Sequence, residues 1–125
     1  MVIKTKRWDE DREPSDGFRL LITRYRPRGL RKEDETWDAW NPDLGPSREL
    51  LARFKGKVGE GIGWATYRRL YVVEMQKQKA AIAELARRAT AGETITLLCA
   101  SSCLRESRCH RSVLKELIEK SVIAR

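Results

Sequence analysis

The sequence has little of most features that would classify it quickly. Its 125 residues include one histidine, three cysteines and four prolines. No apolar run approaches the ~20 residues of a membrane span, so a membrane protein is not expected. The first residues reach a charge at Lys4 and contain no apolar stretch of signal-peptide type. Three cysteines cannot all pair within one chain, and no Cys-x-x-Cys is present. The expectation is therefore reduced thiols in a cytoplasm, not a disulfide scaffold. The glycine-rich stretch from Lys55 to Gly63 is not followed by Gly-Lys-Ser/Thr, so it is a connector and not a nucleotide-binding phosphate loop. Internal repeats and low-complexity tracts are also missing, which excludes collagenous and disordered classes.

What is present is charge. Lys and Arg number 26 against 18 Asp and Glu, a formal +8, and charged residues make up 35% of the chain. Hydrophobic residues at 41% still suffice for one core. A net positive charge on one small domain favours acidic partners: a phosphate-containing ligand or nucleic acid. The charge is concentrated. Arg19, Arg24, Arg26, Arg28, Arg31 and Lys32 fall in a stretch without a single Asp or Glu, flanked by acidic residues on both sides. Arginine suits planar, bidentate phosphate contacts. A solvated, salt-bridged surface is the alternative account of the same stretch.

The apolar pattern predicts one domain over residues 1–125. Residues 1–8 alternate weakly and suggest an edge strand. Residues 18–25 follow a Gly turn and read as a strand ended by Pro27. Residues 33–40 suggest a short helix or helical turn carrying Trp37 and Trp40, whose exposure leaves an assembly role open. Ser47 is a good N-cap for a helix to about Phe54. Trp64, Tyr67, Tyr71, Met75, Ile82 and Leu85 fall at helical spacing, so residues 64–90 read as one long helix with an aromatic core stripe. Residues 94–100 form a second strand, and a helix runs from His110 to about Val122. Strand, helical crossover, strand and helix make an α/β unit: a short, mostly parallel sheet of two to four strands flanked by helices. In such sheets ligands gather at the carboxyl ends of the strands. If the two strong strands are parallel neighbours, the Arg24–Arg28 turn faces the segment after Cys99.

All three cysteines and the histidine lie in that segment, Cys99 to Ser112. Four readings stay open. In the first, Cys99-x5-Arg105 or Cys109-His110-Arg111 at the helix start brings a thiolate and a guanidinium to one anion. Cys99 or Cys109 would be the nucleophile and His110 the general acid or base, with Arg24, Arg28, Arg105 and Arg111 holding the anion. This reading needs no cofactor. In the second, Cys99, Cys103, Cys109 or His110 hold zinc, although adjacent Cys109 and His110 rarely serve one ion. The third is a disulfide. The fourth is a buried strand thiol and a packed imidazole without chemistry. A non-enzymatic basic module for nucleic acid or an acidic partner is the competing functional class.

Several pieces together resemble a family. They are Lys6-Arg7, Glu13-Pro-Ser-Asp-Gly17, Arg24-Tyr-Arg-Pro-Arg-Gly-Leu30, Trp40, Leu44-Gly-Pro-Ser47 with Glu49-Leu50, and Cys99 with Cys109-His110-Arg111. The chain resembles the DUF488 family of small prokaryotic proteins over most of its length. Thr23, Arg26 and Gly45 stand where that family usually has Asp, Trp and Ala. Some relatives carry Tyr and Asn in place of Cys99 and the Cys109-His110 pair. The resemblance implies one α/β domain and a common functional core of Arg24, Arg28 and Ser47.

Overall fold

The computed structural model describes residues 1–56, 61–103 and 105–123, with residues 122 and 123 as backbone only. Part of the glycine-rich connector, residues 57–60, lies outside the described residues. The strands are β1 (Ile3–Arg7), β2 (Phe18–Leu21), β3 (Ala39–Trp40) and β4 (Ile95–Cys99). They form one parallel sheet in the order β1-β4-β2-β3. The helices are α1 (Arg48–Phe54), α2 (Trp64–Met75), α3 (Lys79–Thr90) and α4 (His110–Ile123). The expected α/β sheet of two to four strands is therefore present, and β1 is an edge strand as expected. No helix among the described residues is long and apolar enough to cross a membrane.

Two elements differ from the sequence reading. Residues 33–40 give a short 3₁₀ turn at Lys32–Asp34 and the two-residue strand β3, not a helix carrying both tryptophans. β3 pairs with β2, and Asn41 N–H donates to Leu21 O at 2.9 Å, so the edge of β2 captures this stretch. The long helix is split in two. Gln76–Gln78 winds as a 3₁₀ turn between α2 and α3. No apolar side chain holds residues 76–79 to the core, and the backbone rewinds before Ile82 docks.

The sheet separates its two faces by alternation, since paired residues of parallel strands share a side. Ile3, Leu20, Ile95 and Leu97 face the helices and join Tyr71, Met75, Ile82, Leu85, Leu114 and Ile118 in the core. The opposite face carries Lys4 and Lys6 of β1, Arg19 and Leu21 of β2, and Thr96 and Leu98 of β4. The segment preceding β2 covers this face. Its Asp16 carboxylate, with a side chain 0% exposed, is bound by Lys4 at 2.7 Å, Lys6 at 3.0 Å and Arg19 at 2.7 Å. Arg19 also donates to the Asp11 and Glu10 carbonyls. Burial alone would raise the Asp16 pKa. The bonds from Lys4, the Glu13 N–H, Lys6 and Arg19 outweigh it and hold the carboxyl well below the usual range. Gly17 turns the chain into β2 at φ +63°, where a Cβ would lie 2.3 Å from Thr94 O. Thus the first arginine of the basic stretch is structural and fully buried.

Candidate functional site

The carboxyl ends of β2 and β4 are neighbours, so the segments that follow them meet. After Leu21 the chain stays paired for one more residue, with Ile22 N–H donating to Leu98 O at 3.0 Å. Thr23 to Arg28 then turn over the sheet edge. Opposite them run Cys99 to His110. Between the two lies a cleft of about 980 Å³. Arg24, Arg26, Arg28, Arg48, Lys55, Arg105 and Arg108 line it, and no carboxylate does among the described residues. Tyr25, Leu51, Phe54 and Tyr67 provide apolar wall.

The cations of the cleft fall into two groups. Arg24 braces the loop before α1: its Nε donates to Pro46 O at 3.0 Å and its guanidinium lies 3.5 Å from Asp43. Arg26 donates to Leu30 O at 2.7 Å and pairs with Glu35 at 2.8 Å. These two shape the walls. Arg28, Arg105 and Arg108 are exposed and make no ion pair among the described residues. The same holds for Lys55 and for Arg48, whose guanidinium sits over the half-exposed Tyr25 ring.

The thiols form the floor. β4 delivers Cys99 and α4 begins at His110, so a ten-residue loop folds back on its own start. Cys99 Sγ lies 3.2 Å from Cys103 Sγ and 3.1 Å from Cys109 Sγ, and Cys103 to Cys109 is 3.2 Å. All three are free thiols; Cys99 and Cys109 are buried and Cys103 is partly open. Cys109 and His110 both reach the cluster despite being adjacent. Cys109 still has extended backbone (φ −132°, ψ 143°), and helical geometry starts at His110, so the two side chains leave the chain in different directions. His110 Nε2 lies 2.7 Å from Ile22 O and Nδ1 lies 3.7 Å from Cys99 Sγ.

This arrangement makes the thiols unequal. S–H bonds from Cys109 and Cys99, with His110 and Arg111 nearby, pull Cys103 down to about 3. Donating to Cys103 pushes Cys99 up to about 12. Bonds to Cys103 and Cys99, reinforced by burial, push Cys109 up as well. Burial opposes a charged His110, yet its contact with Cys109 and its bond to Ile22 O raise its pKa. Of the three sulphurs, Cys103 is the one whose ionisation the arrangement favours. Three such cysteines could hold a metal ion.

The sequence-derived candidates therefore separate. Cys99, Cys109, His110, Arg24, Arg28 and Arg105 all line the cleft. Ser47 does not: its Oγ accepts from Leu50 N–H as the N-cap of α1 and bonds Glu74 at 2.5 Å. Arg111 is 5% exposed and points beneath the loop, donating to Cys103 O at 3.3 Å. Sequence reasoning weighed Cys103 only as a zinc ligand. Its depressed pKa has no local signal, because the donors to it come from both ends of the loop. Arg48, Lys55 and Arg108 were also missed, since they reach the cleft from α1, its C-cap and the turn before α4.

The family comparisons cover nearly the whole chain. A profile for DUF488-N3a, described as the active DUF488-N3 subclade, matches residues 3–122. The uncharacterized protein YeaO of Escherichia coli K12 is 38% identical over 79 residues, 63% of this chain and 66% of that protein. The uncharacterized protein Rv3073c of Mycobacterium tuberculosis H37Rv is 32% identical over 116 residues, covering 93% and 92% of the two chains. No solved structure gives a significant match. With sheet, strand-end turn and cysteine loop all inside the matched span, the chain belongs to the DUF488 family, in its N3a subclade.

Proposed function

We propose that the protein binds a phosphate-bearing ligand of nucleotide size, a free nucleotide or a nucleic-acid end, in the cleft between the Arg24–Arg28 turn and the cysteine loop. The observation that supports this most directly is the lining: five cationic side chains that make no ion pair, and no carboxylate, among the described residues. Uncompensated like charges repel one another, and an anion relieves that repulsion. The volume of about 980 Å³ is at the upper end for small-molecule sites, roughly 300–1,000 Å³, and far exceeds what inorganic phosphate fills. The apolar wall and the Tyr25 ring offer a flat surface for a base, while Arg28, Arg105 and Arg108 meet the phosphates.

Titration calorimetry with ATP, with a 5′-phosphorylated oligonucleotide and with the same oligonucleotide lacking the phosphate tests this. Charge-assisted contacts are worth about 1.5–3 kcal/mol each. The Arg28→Ala/Arg105→Ala/Arg108→Ala variant is therefore expected to lose at least about 100-fold in affinity for phosphorylated ligands. Equal affinity of variant and wild type overturns the reading. Equal binding of both oligonucleotides, with a steep salt dependence, transfers it to the non-enzymatic nucleic-acid module.

A further inference from the structure

We propose that Cys99, Cys103, Cys109 and His110 form a binding site for one soft divalent cation, Zn²⁺, at the floor of the cleft. This goes beyond the phosphate-ligand reading and does not depend on it.

The donor set is the first argument. Three free sulphurs stand 3.1–3.2 Å apart. That is well beyond the ~2.05 Å of a disulfide, so no covalent link accounts for their convergence. A tetrahedral zinc ion with Zn–S of ~2.3 Å has S···S edges of roughly 3.8 Å. The triangle needs to open by roughly half an ångström to accept it. Cys103, in the loop and only partly buried, has the freedom to make that move. Thiolates select zinc over the hard cations Mg²⁺ and Ca²⁺.

The imidazole is the second. His110 Nδ1 lies 3.7 Å from Cys99 Sγ, close to the roughly 3.6 Å edge between N and S ligands of zinc, although the group whose ligand atoms all lie within 4.8 Å of one another is the three cysteines alone. Its Nε2 is committed to Ile22 O at 2.7 Å. A ligating histidine commonly donates its outer ring N–H to a backbone carbonyl, which fixes the tautomer and presents the other nitrogen to the metal. Tyr71, edge-on at 5.4 Å between ring centres, holds the ring in that orientation.

Arg111 is the third, and it is independent of ligand geometry. Its guanidinium is 5% exposed, makes no ion pair among the described residues and leaves Nε without a partner. Burying a cation is costly unless an anion lies beside it, and the cysteine cluster is the source of negative charge next to Arg111. Three thiolates around Zn²⁺ carry one net negative charge, directly beside Arg111. With neutral histidine as the fourth ligand the site is closed, which is the pattern of a zinc that holds a loop in place and not of one that keeps an open position for substrate.

The test uses the full reduced chain, stripped with a chelator and titrated with Co²⁺ as the probe. One equivalent should bind and give the intense visible bands of tetrahedral Co²⁺ with sulphur-to-metal charge transfer, and one equivalent of Zn²⁺ should abolish them. His110→Ala should keep the charge-transfer band and shift the visible bands. Because substituting buried Cys99 or Cys109 can unfold the chain, the thiolate test is Cys103→Ser, which should weaken the charge-transfer band. Without any variant, Zn²⁺ should protect Cys103 from alkylation and chelator should restore it. Weak, octahedral-type Co²⁺ absorption, or alkylation of Cys103 at the same rate with and without Zn²⁺, overturns the proposal. Nucleotide binding that fails while the Co²⁺ spectrum appears removes only the phosphate-ligand reading.

Discussion

On one face of the sheet Lys4, Lys6 and Arg19 converge on Asp16, with Glu13 completing the set. At its carboxyl edge Arg28, Arg48, Lys55, Arg105 and Arg108 converge on no carboxylate among the described residues. Both clusters are rich in cations drawn from distant parts of the chain, and they do opposite things. Around Asp16 every charge is answered, the arginine is 0% exposed, and the result is a fixed covering over the second face of the sheet. Around the cysteines the cations remain open to solvent and mutually repulsive, a repulsion that a bound anion would relieve. A saturated cluster is architecture, and the unsaturated one at the strand ends is the site we propose. The positive charge of this chain is therefore not one property but two.

That contrast can be broken most forcefully at its saturated end. Asp16→Ala would leave Arg19 buried without its anion and Lys6 with Glu13 alone. Losing one partner of a buried pair costs about 3–5 kcal/mol, so a large fall in the urea midpoint is expected. A midpoint within experimental error of wild type would show that Asp16 is not the keystone. Acid sharpens the same point with a smaller effect. The folded pKa of Asp16 lies below its unfolded value. Its contribution is complete above the unfolded pKa, near 3.8, and is lost as pH falls from there toward the folded pKa. Stability should decline over that acidic window, and Asp16→Asn should remove this part of the decline. The smallest effect belongs to the cleft. Arg28→Ala with Arg108→Ala should change stability by no more than about 0.5 kcal/mol per site, or raise it slightly by relieving repulsion. A substantial loss would mean that these arginines are architecture too.

Much of the fold is legible because its signals are local. Gly17 before an apolar β-prone run starts β2, Ser47 caps α1, and the pattern after Cys109 starts α4 at His110. The meeting of the post-β2 turn with the cysteine loop follows from two parallel strands being neighbours. The break at Gln76–Gln78 was not legible, because it reflects the absence of anything for that turn to dock against. β3 was hidden because two residues carry no period, and its strand character comes from the edge of β2. At the site, Arg24 and Arg28 look alike in sequence. Only the position of Pro46, Gly45 and Asp43 ties one down and leaves the other free.

The sequence by itself determined that the chain is a small basic α/β domain of the DUF488 type, with its cysteines and histidine in one loop after a strand. Composition, turn residues and apolar period act over a few residues and need no partner. The tertiary structure decided which arginines are consumed by Asp16, Asp43 and Glu35 and which make no ion pair among the described residues. It also decided that three thiols meet at 3.1–3.2 Å, with Cys103 the most readily ionised of them. Both outcomes are electrostatic. They depend on distances between groups far apart in the chain and on how much water lies between them, and folding alone sets those.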